Sequence, residues 1–421
     1  MCQKIAAEDC PKGWSGPTAG ETPLPAAAAA AAARMEMQCE VTGQRSGPDN
    51  KKKQRKKKDK SKKKAFLVTD LLGDPLCRVR SFPSHVMLVA EWGEGGEIVG
   101  VIRGCIKRVK IRGNKEYVTA ANVLGLRVSP SHRRHGIATR LVQEIEIWCK
   151  RHGADYAYMA TDATNSPSLK LFTTKCDFIK FRTPTLLVRP VHAHRKPQGP
   201  GVTVVRLTPG LAGPMYRRIL ASSDFFPEDM DEIVAHTLNL GTFVAVPEES
   251  ARGWNPESGT LPPSSFAVVS VWNTKGVYNL QVKGASGFTH ACCAGSRMLD
   301  SCMPWLRIPS FPDVFKRFGF YFLYGLYMTG EQGPSLMKSL CNFAHNMARA
   351  DAGCRALVAE VGPEDPVKAA IPQWKRFSWS EDVWCIKHLR EGLVQKRGDL
   401  DWLHNMSKSR SPVLFVDPRD V

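Results

Sequence analysis

The sequence predicts a mixed α/β protein made of two similar units behind a basic leader. Three observations carry this. The composition turns globular only at residue 65. From there, short apolar strands alternate with amphipathic helices. A shift of 200 residues then lays the second half on the first without gaps. A length of 421 residues fits two folded units plus a tail, at about 100–200 residues per domain. Apolar residues make up 43% and charged residues 24%, a globular mixture.

Residues 1–64 hold Pro, Gly, Ala and Lys and almost no branched aliphatic or aromatic side chains. Little burial could offset their ordering entropy, so a disordered leader is expected. Ala26–Ala33, running into Arg34–Met37, is the one helix-forming stretch in it. The first unit, residues 65–195, reads as three strands, Val86–Trp92, Ile98–Val109 and Val118–Val128. A helix follows over Gly136–His152. Its apolar residues Ile137, Leu141, Ile145 and Trp148 recur with helical period, and Gly153 stands where a left-handed residue ends a helix. Next come a strand at Asp155–Thr161, a short helix at Ser166–Thr174 and one extended stretch at Phe178–Arg189. The basic Pro/Gly run from His194 predicts a linker at 196–201. The second unit, 202–421, repeats the pattern. Gly125 meets Gly325, Gly153 meets Gly353, and Tyr156–Thr161 meets Ala356–Val361.

The formal charge is +19, and Lys51–Lys64 alone carries a net +10. Such a run reads as a nuclear import signal, a nucleic-acid arm or a solvated loop. It has no interleaved aromatics to stack on bases, so nucleic acid is possible but not favoured. No apolar run opens the chain. The longest apolar stretch, Phe320–Met328, is nine residues, against the ~20 a bilayer span needs. Thirteen cysteines include no CxxC pair. Together these predict a soluble nuclear or cytoplasmic protein with reduced thiols, no metal and no membrane partner.

The chemistry points to one segment. Leu124–Pro130 ends a strand, Ser131–His135 is a basic turn, and Gly136–Ala138 opens a helix. First-turn amides of a helix lack internal partners and carry the positive end of its dipole. Gly136 has no Cβ, and Ala138 keeps the next position small, so an anion can approach the backbone. Arg133, Arg134, His132 and His135 add positive potential. No GxxxxGK[ST] or GxGxxG motif competes.

This strand–RxxGxA–helix unit resembles the acetyl-CoA-binding motif of the GNAT N-acetyltransferases. Further blocks resemble the plant hookless-type probable N-acetyltransferases: Asp70–Pro75, Ile102–Lys107, Leu171–Cys176, Phe181–Pro184, Val191–Arg195, Gly241–Pro247, Ser270–Asn273, Trp384–Lys387 and Phe415–Arg419. The resemblance runs from about residue 66 to the end. It implies two tandem GNAT-like domains and acetyl transfer from acetyl-CoA to an amine. It also implies a regulatory role in plant growth and hormone response. Main-chain groups from Leu126 to Val128 would hold the pantetheine arm. Arg133, Arg134, His135, Gly136, Ile137, Ala138 and Thr139 would hold the pyrophosphate, with Asn165 on the cofactor side. The acceptor would be an amine, such as a lysine of a nuclear protein.

The departures from that family are specific. Where many members carry a tyrosine as general acid, this chain has Phe172. No base stands out. Asp162, at the end of a strand, is the first candidate, and an Asx turn is the competing reading. Glu91 is a weaker candidate. Cys176 reads as apolar filler. At offset 200 the cradle positions hold Gly333, Leu336 and Lys338, so the second domain reads as degenerate, with Leu336 blocking the approach. No first strand is evident ahead of residue 65. A non-catalytic acetyl-CoA-binding regulator is the alternative function.

Overall fold

The computed structural model describes residues 2–6, 65–111, 116–262, 265–374, 382–389 and 413–421. The alanine and lysine runs lie outside these residues. Two sheets make the body. The first takes strands, in spatial order, from β1 (Cys2–Ala6), β3 (Ser84–Trp92), β4 (Glu97–Lys110), β5 (Tyr117–Val128), β6 (Tyr156–Asp162), β16 (Asp382–His388) and β7 (Ile179–Arg182). The short β10 (Phe226–Pro227) pairs with the end of β4. The second sheet runs β8 (Thr185–Pro190), β15 (Cys354–Val361), β14 (Gly319–Thr329), β12 (Phe266–Asn273), β11 (Asn239–Pro247) and β9 (Val202–Leu207). A separate ribbon pairs β2 (Phe66–Asp70) with β13 (Asn279–Lys283).

The mixed α/β class holds, and strand, helix and strand do recur, but not at one gapless offset: eight residues separate strand from helix in the first half and three in the second. Three further corrections follow. A first strand does exist: Cys2–Ala6 pairs in parallel with Met87–Glu91. Five residues with no flanking turn signal gave it no sequence signature. The extended stretch Phe178–Arg189 is two strands in two different sheets. Thr183-Pro184 breaks it, and a proline has no N–H for a ladder. Finally, the sheets do not respect the expected boundary at 196–201. β8 pairs with β15 of the second sheet. β16, from the far end of the chain, sits between β6 and β7 of the first. Each half lends the other a strand, which local pattern cannot reveal.

Helix α1 (Ile137–Arg151) covers one face of the first sheet. Its Ile137, Leu141, Ile145 and Trp148 are all buried, each worth on the order of 1.5–3 kcal/mol. The approach is close because β4 presents glycines. A Cβ on Gly100 would lie 2.9 Å from Ile137 and Leu141, and one on Gly104 2.9 Å from Ile145. Gly153 (φ 74°) ends the helix, and Ala154 N–H returns to the Cys149 carbonyl. Helix α2 (Gly333–Ala350) covers the second sheet in the same way, burying Leu336, Leu340 and Ala344.

The two halves are clamped by the C-terminal segment 413–421. Asp417 and Arg419 are buried beside Lys107 of β4. Arg419 also makes a two-pronged pair with Asp229, at 2.6 and 2.9 Å. Asp420 accepts from Lys107 and from the Tyr158 hydroxyl, at 2.6 and 2.8 Å. Arg182 and Asp224 form a second buried pair across the halves. The expected linker is docked as well: Lys196 exchanges main-chain bonds with the Asn346 side chain on α2.

Candidate active site

The site begins at a bulge. β5 pairs with β4 on one side, and the register slips between Val101 and Arg103 opposite Gly125–Leu126. Gly125 takes φ 66°, a left-handed value that a glycine adopts at little cost. On its other side β5 runs parallel to β6, but only Ala120–Asn122 pair with it. Beyond Asn122 the two strands part. Leu126 and Val128 therefore follow the bulge on a strand edge that β6 no longer covers, and both pack against the α1-side core. This is where the pantetheine-holding main chain is expected.

The turn from Val128 to α1 is next. A short 3-10 turn, Pro130–His132, leads into Arg134 (φ 73°) and Gly136 (φ 83°). Left-handed residues alternating with others gather N–H groups on one concave side. Among the described residues, no side chain caps α1 and nothing lies within 4 Å of a Cβ built on Gly136. The predicted cradle residues Arg134, His135, Gly136, Ile137, Ala138 and Thr139 are thus brought together as one turn and first helical turn. Arg133 is exposed, its Nε 3.4 Å from the Val128 carbonyl. His132 and His135 both pack on Trp92, with ring centroids at 5.3 and 5.6 Å. The cradle is therefore braced on the β3–β4 hairpin.

Other expected residues behave differently. Asn165 caps a short helix at Ser166–Lys170 through Ser168 N–H, and its amide donates to Thr161 at 3.0 Å. Asp162 is exposed, and its Oδ1 accepts from both the Thr164 amide (2.6 Å) and hydroxyl (2.5 Å). The Asx turn is what that side chain makes, so it is poorly set up as a base. Glu91 stands at the end of β3 opposite Ile98. Phe172 is buried edge-to-face on Phe178 and donates nothing. Burial pushes the Cys176 thiol up to about 11, which keeps it inert at neutral pH.

The second unit repeats the bulge. Gly325 takes φ 61°, the register slips between Val268 and Ser270, and β14 pairs with β15 only as far as Leu323. Its cradle is gone for a reason the sequence reading misplaced. Leu336 points into the core rather than toward a ligand. The turn itself is short: Gly330–Gln332 replaces the eight residues from Ser129 to Gly136. Ser265 fills it, its hydroxyl accepting from Gln332 N–H at 3.2 Å. The bulge is also covered. A Cβ on Gly325 would lie 2.6 Å from the Tyr216 ring.

Sequence reasoning missed the face opposite α1. There Tyr158 stacks on Trp384, with centroids 5.6 Å apart. Trp384 sits opposite Ala160 of β6, and its indole N–H donates to Glu360 of β15 at 3.0 Å. Burial, with a further push from Asp382, raises the Glu360 carboxyl to about 8. Glu360 lines a small cleft with the Tyr324–Leu326 bulge, Asp365 and the tail at Val413–Val416. Burial raises Asp365 to about 6, and burial followed by the charge of Asp162 raises Asp382. The available signal was a lone acid in a strand that is apolar but for Arg355 at its start, Cys354–Val361.

A sheet parted at a bulge, beside an uncapped helix N-terminus, defines a protein of the acyl-CoA N-acyltransferase fold. Comparison with known proteins narrows the class. The profile of the "Acetyltransferase (GNAT) family" matches residues 59–178. "Probable N-acetyltransferase HLS1-like" of Arabidopsis thaliana is 44% identical over 389 residues, covering 85% of this chain and 92% of that protein. "Acetyl transferase GW6a" of Oryza sativa subsp. japonica is 46% identical over 361 residues, covering 84% and 82%. The chain belongs to this GNAT acetyltransferase family. Among solved structures, Saccharomyces cerevisiae N-myristoyltransferase with bound myristoyl-CoA matches at TM-score 0.46 and 10% identity, covering 76% and 71%. A GCN5-related N-acetyltransferase from Kribbella flavida matches at TM-score 0.34 and 14% identity, covering 70% and 58%.

Proposed function

We propose that the chain transfers acetyl from acetyl-CoA to an amine, and that the two halves build the acceptor site between them. The observation that carries this is the uncapped Arg134–Thr139 cradle beside the open edge of β5. The pyrophosphate sits on the cradle, where first-turn amides and Arg133 and Arg134 meet its charge. The thioester lies along the open edge from Leu126 to Val128. A β5 amide stabilises the oxyanion when the amine attacks the carbonyl. The carbon–sulfur bond then breaks, and coenzyme A leaves as thiolate. With Phe172 in place of a hydroxyl, the thiolate leaves without a side-chain acid.

The amine enters by the cleft that Glu360 lines with Asp365 and the tail at Val413–Val416, with the Trp384 indole holding Glu360 in place. Glu360 takes the amine proton. A base with a pKa near 8 is well matched to an ammonium group. Neighbouring Asp365 and Asp382 make the cleft favour a cationic acceptor such as lysine. The Lys51–Lys64 run supports a nuclear address, and with it a nuclear-protein acceptor. The hookless-type resemblance extends the proposal to growth and hormone response. A non-catalytic acetyl-CoA-binding regulator is the second reading, favoured by buried Phe172.

The test is turnover. The protein is incubated with acetyl-CoA and a panel of lysine peptides, including histone tails. Free thiol and peptide mass are then followed together. Equal release of thiol and gain of acetyl supports the enzyme. Cofactor binding with no transfer across the panel supports the regulator.

A further inference from the structure

Outside the cradle, a second set of groups has the geometry of an activated amine. It lies where the segment after β8 crosses between α2 and the helix Gly287–Cys302. His194 Nδ1 is 2.6 Å from Asp300 Oδ1, and His194 Nε2 is 2.6 Å from Lys196 Nζ. Asp300 is held in turn by the Ser310 hydroxyl at 2.5 Å and the His194 amide at 3.1 Å. His194, Asp300 and Ser310 are all buried. His192 stacks parallel on His194 at 5.3 Å and anchors to the Ser310 carbonyl at 2.8 Å. The imidazole is therefore fixed on both nitrogens and on one face.

That arrangement sets the protonation. With Asp300 on Nδ1, the Nδ1–H form is favoured, and Nε2 presents a lone pair to Lys196. Only one proton fits between Nε2 and Nζ. With Lys196 deprotonated to solvent, Nε2 stays free to accept the second amine proton during attack, giving an imidazolium paired with Asp300. Nucleophile, base and orienting carboxylate thus stand in line.

We propose that Lys196 is a self-acylating lysine that takes an acyl group directly from an acyl thioester such as acetyl-CoA. Lys196 Nζ attacks the thioester carbonyl and forms the N–C bond. The C–S bond breaks, His194 receives the amine proton, and the thiol departs with a proton from solvent. No oxidant or reductant is needed. The environment supports the geometry. Burial, then Arg189 and, to a smaller degree, Arg307, lower Lys196 to about 8, while Asp300 acts in the opposite sense. His192, held neutral by burial with a pKa near 4, and His345, near 3 by burial, add no competing charge at neutral pH.

The size of the effect follows. At about pH 7.5 roughly a quarter of Lys196 is unprotonated, against about one part in a thousand for an ordinary lysine. Lower basicity costs about tenfold in intrinsic nucleophilicity. A net advantage of about tenfold remains.

The experiment uses the full chain with acetyl-CoA alone and reads acetyl occupancy at each lysine by mass spectrometry. Lys196 should be modified about tenfold faster than the median exposed lysine. His194→Gln should bring it to the median, and Gly136→Glu should leave it unchanged. The last arm separates this proposal from the fate of the cradle. Median reactivity in the wild type, unchanged reactivity in His194→Gln, or loss in Gly136→Glu each overturns it. Should His194→Gln fail to fold, competitive labelling of the wild type against pH decides. A midpoint near pH 8 supports the proposal, and one above 10 overturns it.

Discussion

Replacing Glu360 by Gln removes one charge state and keeps the side-chain shape. Burial raises this carboxyl from about 4.5 to about 8. A carboxyl whose folded pKa is raised contributes its full stability below the unfolded pKa, and that contribution is lost as pH rises through the folded pKa. Between about pH 4.5 and 8 the wild type should therefore lose up to ~1.4 kcal/mol per pH unit relative to the variant. The full difference would approach ~5 kcal/mol, and access of water to the cleft makes about 2–4 a better expectation. Chemical denaturation at pH 5 and at pH 9 measures it. Glu360→Gln should match the wild type at pH 5 and exceed it at pH 9. Activity should move oppositely. Loss of a positioned base costs about 10²–10⁴-fold, so kcat should fall by about a hundredfold or more while acetyl-CoA affinity holds. The wild-type rate should climb with a midpoint near pH 8, and that limb should vanish in the variant. Unchanged kcat with a stability gain would make Glu360 only a buried acid. Equal stability at pH 9 would refute the burial argument itself.

Other perturbations follow from the same structure. Asp417→Asn leaves Lys107 and Arg419 buried with one carboxylate fewer, and should cost about 3 kcal/mol or more in denaturant. Burial alone would raise the Asp417 carboxyl, but Arg419 and then Lys107 hold it well below the usual range, so the wild type keeps this contribution in full above the ordinary carboxylate pKa of about 4 and loses it progressively as pH falls below that. Phe172→Tyr puts a hydroxyl into the Phe178 contact, and should cost about 1–3 kcal/mol without raising kcat. Gly325→Ala combines a left-handed φ with a clash on Tyr216, and should lower Tm while leaving acetyl-CoA affinity unchanged.

Much of the first unit was legible in the sequence. The α1 stripe, Gly153 and the Gly136 turn are local signals, and local physics decides them. The repeat was legible because both bulge glycines, Gly125 and Gly325, meet the same backbone demand. What escaped is non-local. Nothing near Trp384 tells that its strand inserts between β6 and β7, more than 200 residues upstream. Nothing near Thr185 tells that it crosses to the other sheet. The face proposed for the acceptor depends on that exchange, so the strand of Glu360 offered only a lone acid and not its partner Trp384. Asp162 looked catalytic because a strand-end acid in an α/β fold invites it, yet Thr164, two residues on, is what it serves.

The central claim is that the turn at Arg134–Thr139 binds the cofactor's pyrophosphate. Calorimetric titration of acetyl-CoA into the wild type and into Gly136→Glu tests it most directly. Space around Gly136 is open, so the variant should fold, with roughly 1–2 kcal/mol of left-handed strain. The account predicts one site per chain in the wild type and at least a hundredfold weaker binding in the variant. No heat of binding in a folded wild type, or equal affinity in the two proteins, would contradict it.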